Sequence, residues 1–321
     1  MSEKTAWVLT EGMAGMVTQA VGLAEAVGLP FETKTITLRA PWCWLPARYW
    51  PKGVLGLDAA SDPLMPPWPD LVISCGRKAI GPALTVKRCS GGRCFAVHIQ
   101  NPHLPSRAFD LIVAATHDQL TGDNVIVTRG ALHRVTKSRL EAARADYEEA
   151  LARMPRPLTA VLVGGPNRVY RMTPPIATDL ATKLAAFADA TGGSLAVTPS
   201  RRTGADNVVA LSAGLRETSA VIWDGEGENP YFGYLAQADQ IIVTCDSVSM
   251  VSEACATGKP VYVFDLPGGG DKFRRFHQTL RENGITRRFT GIPEDWRYEP
   301  FDDTARVAAE IHQRMAGANR N

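Results

Sequence analysis

The sequence predicts an α/β protein of two domains, each organised on a parallel sheet. Three observations carry this expectation. Short apolar, β-branched runs alternate along the chain with stretches of helical periodicity, the order that βαβ units produce. A charged helix-forming stretch interrupts the alternation and stops at Pro155-Arg156-Pro157, which marks a boundary. The 321 residues, 45% apolar and 21% charged, are enough for two cores of ordinary composition. Domains are therefore expected over residues 1–155 and 156–301, followed by a last helix over 302–316.

In the first half, Thr5–Thr10 reads as a strand and Glu11-Gly12-Met13-Ala14-Gly15 as the turn into a helix from Met16 to Val27. Gly12 and Gly15 lack the full GxGxxG spacing, so the opening makes a weak dinucleotide site, and Glu11 is expected to cap the helix start or complement it in charge. Phe31–Leu38 alternates as a second strand. Residues 39–69 then break the pattern: Trp42, Trp44, Tyr49, Trp50 and Trp68 mix with Arg39, Arg48, Lys52 and seven prolines. Such a segment can cover a domain edge, line a pocket, or seat a protein on lipid headgroups. Asp70–Ser74, Cys94–His98, Leu111–Ala114 and Asn124–Thr128 read as four further strands. The helix that opens at Gly76-Arg77-Lys78 starts with basic residues against its own dipole, which points to an anion nearby or to plain solvated charge. His117-Asp118, at a strand end, is either a polar pair holding a turn or an acid–base pair working near neutral pH. His98 and His133 are expected to be structural, and no set of ligands converges on a metal.

Thr136–Met154 reads as a helix. Leu158–Val163 opens the second sheet and runs into Gly164-Gly165-Pro166-Asn167, where glycines let amides approach a phosphate or a ribose. No GxxxxGK[ST] occurs, which argues against a P-loop. Pro174–Thr191 is a helix and Leu195–Thr198 a strand. The following Ser200-Arg201-Arg202-Thr203 offers two guanidiniums and two hydroxyls, which suits a diphosphate; a surface basic pair is the plain alternative. Val221–Trp223 is a strand, and Asn229-Pro230 opens a short helix in which Tyr231 packs or stacks near a base.

The second half centres on residues 239–264. Ile241–Val243 is a strand, Asp246 and Ser247 start a helix, Gly258 and Pro260 stop it, and Val261–Phe264 is the next strand. Val248, Val251 and Cys255 share the side that suits the sheet, while Asp246, Ser249, Met250 and Glu253 cluster elsewhere. Glu253 is then either a solvated surface acid or an acceptor for a sugar hydroxyl. A carboxylate at Asp246 repels phosphate from this helix start. A diphosphate is therefore expected nearer Ser200, Arg201, Arg202 and the hydroxyls of Ser247 and Ser249, with Asp246 a helix cap or a sugar-hydroxyl acceptor. After Phe264 comes a glycine-rich loop, then Lys272-Phe273-Arg274-Arg275 and a helix to Asn283.

The run Thr244-Cys245-Asp246-Ser247-Val248-Ser249-Met250 with Glu253 resembles the nucleotide-sugar-binding segment of GT-B glycosyltransferases. More closely, it resembles bacterial relatives of the plant mitochondrial-fission protein named for elongated mitochondria. Ile99-Gln100-Asn101-Pro102, Phe109-Asp110-Leu111, His117-Asp118 and Gly130–Val135 resemble the same family, so the likeness covers most of the chain. The resemblance implies two facing Rossmann-like domains with a cleft between them, the last helix crossing back to the first. It implies a UDP- or GDP-sugar donor in the second domain, its ribose held by Glu253. Gly164, Gly165, Ser200, Arg201 and Arg202 would border that donor, as would Ser247, Ser249, Met250, Lys272 and Arg275. The acceptor and a base, Glu11 or the His117-Asp118 pair, would lie in the first domain. The implied activity is sugar transfer without a bound catalytic metal or cofactor, to a lipid-linked or cell-envelope acceptor. Rival outcomes are a nucleotide-sugar epimerase and a scaffold that recruits a protein partner, as the plant relative recruits a dynamin-like protein.

Net charge of +2 argues against bulk nucleic-acid binding. The six cysteines form no CxxC pair; Cys75, Cys245 and Cys255 fall in strand or helix patterns as small core residues, which fits a reducing compartment. No apolar signal region follows Lys4 and no run approaches 18 apolar residues, so the expectation is a cytoplasmic protein, with contact at the inner face of a membrane as a further hypothesis.

Overall fold

A computed structural model describes residues 3–50 and 55–318. Lys52 and the side chains of Arg48 and His117 lie outside the described residues. The chain divides into two compact units, Met1–Arg134 with Asp302–Asn321, and Val135–Phe301.

Unit 1 contains β1 (Ala6–Thr10), α1 (Ala14–Val27), β2 (Phe31–Thr35), β3 (Leu71–Cys75), α2 (Ile80–Cys89), β4 (Phe95–Ile99), β5 (Leu111–Ala115) and β6 (Val125–Thr128). The strands form one parallel sheet in the order β2-β1-β3-β4-β5-β6. β1 and β3 are buried along their whole length, as continuous apolar strands covered on both faces must be. On one face Val8, Leu71 and Ile73 pack with Leu23 of α1 and with Val307 and Ile311 of the C-terminal helix. On the other, Leu9, Val72 and Ile112 pack with Ala83 and Val86 of α2. Gly28 ends α1 at φ +74°, and its amide closes the last turn on the Ala24 carbonyl at 3.1 Å.

Unit 2 contains α3 (Lys137–Asp146), α4 (Glu148–Leu151), β7 (Leu158–Val163), α5 (Pro174–Thr191), β8 (Ser194–Pro199), α6 (Ala205–Gly214), β9 (Ala220–Ile222), α7 (Tyr231–Gln237), β10 (Gln240–Thr244), α8 (Val248–Ala256), β11 (Val261–Phe264), α9 (Asp271–Glu282) and β12 (Thr286–Arg288). Its sheet is also parallel, in the order β12-β11-β10-β7-β8-β9. The sequence did not predict α6, which buries only Asn207 and Leu211, or the three-residue β12. The units divide at Arg134 and Val135 rather than at the proline pair. The physical reason is that α3 turns its apolar side to unit 2: Leu140 packs on that core, and the Gln237 side-chain amide donates to the Arg144 carbonyl at 2.7 Å. The last helix, α10 (Asp303–Ala318), completes unit 1, where Asp303 accepts the Arg129 amide at 2.7 Å and Thr304 the His133 amide at 3.1 Å. Among the described residues no helix is long and apolar enough to cross a membrane.

Each sheet reverses its winding once. In unit 1 the chain steps outward from β1 to β2, then returns to the other side of β1 with β3. In unit 2 it runs β7-β8-β9, then returns beside β7 with β10. Open parallel sheets bind ligands beyond their carboxyl edges at such reversals. The positions to examine are therefore the turns after β1 and β3, and those after β7 and β10.

Candidate functional site

The reversal in unit 2 brings Gly164 and Gly165, after β7, against Asp246, after β10. Asp246 is fully buried and fully engaged. Its carboxylate accepts the Thr244 hydroxyl at 2.7 Å, the Gly165 amide at 3.1 Å and the Arg202 guanidinium at 2.8 Å. Arg202 also donates to the Gly165 carbonyl at 3.1 Å, and the Gly164 amide donates to the Thr244 hydroxyl at 2.8 Å. The glycines are needed for close approach: a Cβ on Gly164 would lie 2.2 Å from the Asp246 carboxylate, and one on Gly165 2.1 Å from the Arg202 carbonyl. The amides expected to face a phosphate are thus spent within the protein, as is the Arg202 side chain. Asp246 is not the helix cap: Ser247 is, its hydroxyl accepting the Met250 amide at 3.3 Å.

Around this network lie other residues predicted for unit 2. Ser200 and Arg201 follow β8; Ser200 is half-buried, 3.3 Å from the Thr203 hydroxyl, and Arg201 is exposed. Ser249 and Met250 are half-buried in the first turn of α8, and Lys272 and Arg275 are exposed on the first turns of α9. The loops after β7 and β11 are tied together. The Gly269 amide donates to the Val169 carbonyl at 2.8 Å and the Arg171 amide to the Pro267 carbonyl at 3.0 Å. Gly268, at φ +111°, permits this, because a Cβ there would meet the Val169 carbonyl at 2.1 Å.

Glu253 is buried, at 6% exposure, and not a solvated surface acid. α8 packs its Val251 and Cys255 side on the sheet as the periodicity predicts, and its Glu253 side meets α7, where the Tyr231 hydroxyl donates to the carboxylate at 2.5 Å. Burial and the Glu253 charge push the Tyr231 phenol well above its ordinary pKa, so the phenol keeps its proton. Tyr231 is held from both ends of α7. Asn229 accepts the Tyr231 amide at 3.0 Å. At the far end, Lys259 donates to the Leu235 and Ala236 carbonyls, Arg144 to Ala236 and Arg156 to Gln237. Three cations on the last carbonyls suit the negative end of the helix. Burial, with Arg144 and Arg156 nearby, pulls the Lys259 ammonium down to about 8. The sequence showed Tyr231 only as a packing or stacking ring; its role as a hydroxyl donor depends on how α7 and α8 meet.

In unit 1 the reversal places Glu11, after β1, on the start of the helical turn after β3. Glu11 accepts the Lys78 amide at 2.9 Å and pairs with the Lys78 ammonium at 3.2 Å. The anion that the basic helix start called for is therefore the protein's own carboxylate, and Arg77 turns away to the carbonyls of Cys43 and Leu45. His117 and Asp118 lie in a helical turn after β5. β3 and β4 separate that turn from β1, roughly 14 Å at the usual strand spacing, so unit 1 does not bring Glu11 and His117-Asp118 together. His98 and His133 are both buried; His98 bonds the Ser74 hydroxyl at 2.9 Å and burial drives its pKa down to about 3.

The family model described as mitochondrial fission ELM1 matches residues 14–315. The mitochondrial fission protein ELM1 of Arabidopsis thaliana is 34% identical over 275 residues, 77% of this chain. That match spans 64% of the plant protein, less than two thirds of its length. An uncharacterized protein of Rickettsia prowazekii is 27% identical over 349 aligned positions, covering 95% of this chain and 97% of that one. Among solved structures, UDP-GlcNAc 2-epimerase of Methanocaldococcus jannaschii, in complex with UDP-GlcNAc and UDP, superposes with a TM-score of 0.52 at 11% identity over 97% of this chain and 99% of that chain. This likeness shows a shared GT-B architecture of two Rossmann-like units.

Proposed function

The chain belongs to the mitochondrial fission ELM1 family, and from that premise we propose that unit 2 binds a nucleoside-diphosphate sugar, with Glu253 accepting the hydroxyls of its ribose. The observation that carries this reading is the buried Glu253 carboxylate, fixed on α8 beyond the β10 edge and already receiving one hydroxyl, from Tyr231. A carboxylate has lone pairs for several O–H donors and repels phosphate. Arg201, Lys272 and Arg275, exposed at the same edge, supply the positive charge for the diphosphate. UDP-sugars are the first probes because a UDP-GlcNAc enzyme shares the fold, and GDP-sugars are the second. The reaction proposed is metal-independent glycosyl transfer to an acceptor that is lipid-linked or belongs to the cell envelope. Epimerisation of the donor is the alternative chemistry, and the base would come from Glu11, His117 or Asp118.

One observation favours a second reading, a binding scaffold without turnover. The crevice where Rossmann-like sheets seat phosphate is filled by Asp246, which engages Gly165, Thr244 and Arg202.

Titration calorimetry with UDP- and GDP-sugars tests the proposal. Tight binding that weakens about tenfold or more in Glu253→Ala is expected, since the hydrogen bonds to a charged group are lost. Absence of binding by every nucleotide sugar would falsify it. Binding without release of nucleoside diphosphate or isomerised sugar would leave the scaffold reading in its place.

A further inference from the structure

We propose that unit 1 carries a docking surface for an anionic phospholipid bilayer, built on residues 39–50 with Leu55 and Arg77. The feature that calls for a partner is Trp44, whose side chain is 76% exposed; Tyr49 and Leu55 are 55% and 65% exposed. The backbone presenting Trp44 is held from several directions. Its own amide donates to the Pro41 carbonyl at 3.1 Å and the Leu45 amide to the Trp42 carbonyl at 3.2 Å. The Trp50 indole N–H donates to the carbonyls of Trp42 at 2.7 Å and Leu45 at 3.0 Å. The Trp50 ring lies so close to α2 that a Cβ on Gly81 would come within 2.6 Å of it. Arg77 donates to the carbonyls of Cys43 at 2.7 Å and Leu45 at 2.9 Å, the residues flanking Trp44. A helical turn, Ala47–Tyr49, leads from there to Tyr49. The residue after Leu55, Gly56, accepts the Arg39 amide at 3.1 Å, which ties Leu55 to the start of this segment.

Large apolar side chains fixed in water mark an interaction surface. Charge identifies the partner. No Asp or Glu occurs in the sequence between Glu32 and Asp58, whereas Arg39 falls there. Arg39 is exposed, and the Arg77 guanidinium sits against the Trp44 turn. Indole and phenol rings favour the headgroup layer, where an apolar body and a polar edge are both satisfied. Cations beside them are drawn to an anionic leaflet. The surface is independent of the nucleotide reading of unit 2.

Co-sedimentation of the full chain with phosphatidylcholine vesicles, plain or carrying about one third phosphatidylglycerol, tests this. Binding to the anionic vesicles is expected, well above that to plain ones, and weakened several-fold as salt rises from about 0.1 to about 0.5 M. The joint substitution Trp44→Ala with Tyr49→Ala should weaken it about tenfold or more. Both side chains are exposed, so an unchanged melting curve verifies the fold. Arg39→Glu should weaken binding to anionic vesicles with the aromatics intact. Equal binding to plain and anionic vesicles, no binding to either, or an unaffected double variant would overturn the proposal. So would a soluble protein that requires Trp44 while vesicles stay unbound.

Discussion

Unit 1 and unit 2 each fill the reversal point of their sheet with a carboxylate of their own, and they bury it to different depths. In unit 2 the Asp246 side chain is 0% exposed and its Arg202 partner 44%. In unit 1 the Glu11 side chain is 14% exposed and its Lys78 partner 33%. The chemistry is alike: one backbone amide and one cation meet the acid in each unit. The settings differ. Asp246 also accepts the Thr244 hydroxyl, and glycines crowd it too closely for any larger residue. It therefore acts as an internal staple. Glu11 keeps contact with solvent.

Breaking the buried staple should have the largest effect. Asp246→Ala leaves the Gly165 amide, the Thr244 hydroxyl and Arg202 without their acceptor. A loss of about 3 kcal/mol is expected, at the low end for a broken buried pair because Arg202 is partly solvated. Denaturant melts of the variant measure it, and a cost under about 1 kcal/mol would show that the staple is not structural.

The next effect is of pH and sharpens the comparison within unit 1. His98 is held neutral, its pKa brought by burial from 6.5 to about 3. The unfolded chain takes up that proton first, so stability is full above pH 6.5 and falls as pH drops toward 3. The slope is about 1.4 kcal/mol per pH unit, or roughly 2 kcal/mol by pH 5. His277 in unit 2, also lowered by burial, adds in the same direction. Equal stability at pH 7 and pH 5 would contradict the buried neutral imidazole.

Tyr231→Phe should cost about 1.5 kcal/mol, the worth of a hydrogen bond to a charged acceptor. It should also alter nucleotide affinity through the orientation of Glu253. A variant that melts and binds like the parent would show that Tyr231 does not position the carboxylate. Glu11→Gln should cost least, below about 1 kcal/mol, since its ion pair is partly solvated and the amide oxygen still accepts the Lys78 N–H. If that substitution destabilised as much as Asp246→Ala, the contrast between the two reversals would fail.

Much of the architecture was legible because buried parallel strands are continuous apolar runs. Leu158–Val163 and Ile241–Val243 could be read from composition, and Ser247 and Gly258 mark the start and stop of α8 by local chemistry. α6 was hidden because its sequence buries so little that no periodicity stands out. The domain division was misplaced because the prolines mark where a helix stops, while the unit boundary depends on which core that helix packs against. Glu253 was ambiguous for a similar reason. A helical wheel assumes one buried side, whereas α8 is covered by the sheet on one side and by Tyr231 of α7 on another.

The sequence by itself determined that there would be two parallel sheets, where most strands and helices begin and end, and which charged residues gather at the carboxyl edges. Those follow from near-neighbour patterns of burial and backbone preference. The partner of each charge was decided only in three dimensions. Arg202 meets Asp246 across 44 positions and Lys78 meets Glu11 across 67, because strand order, set by the packing of the whole unit, chooses which turns become neighbours.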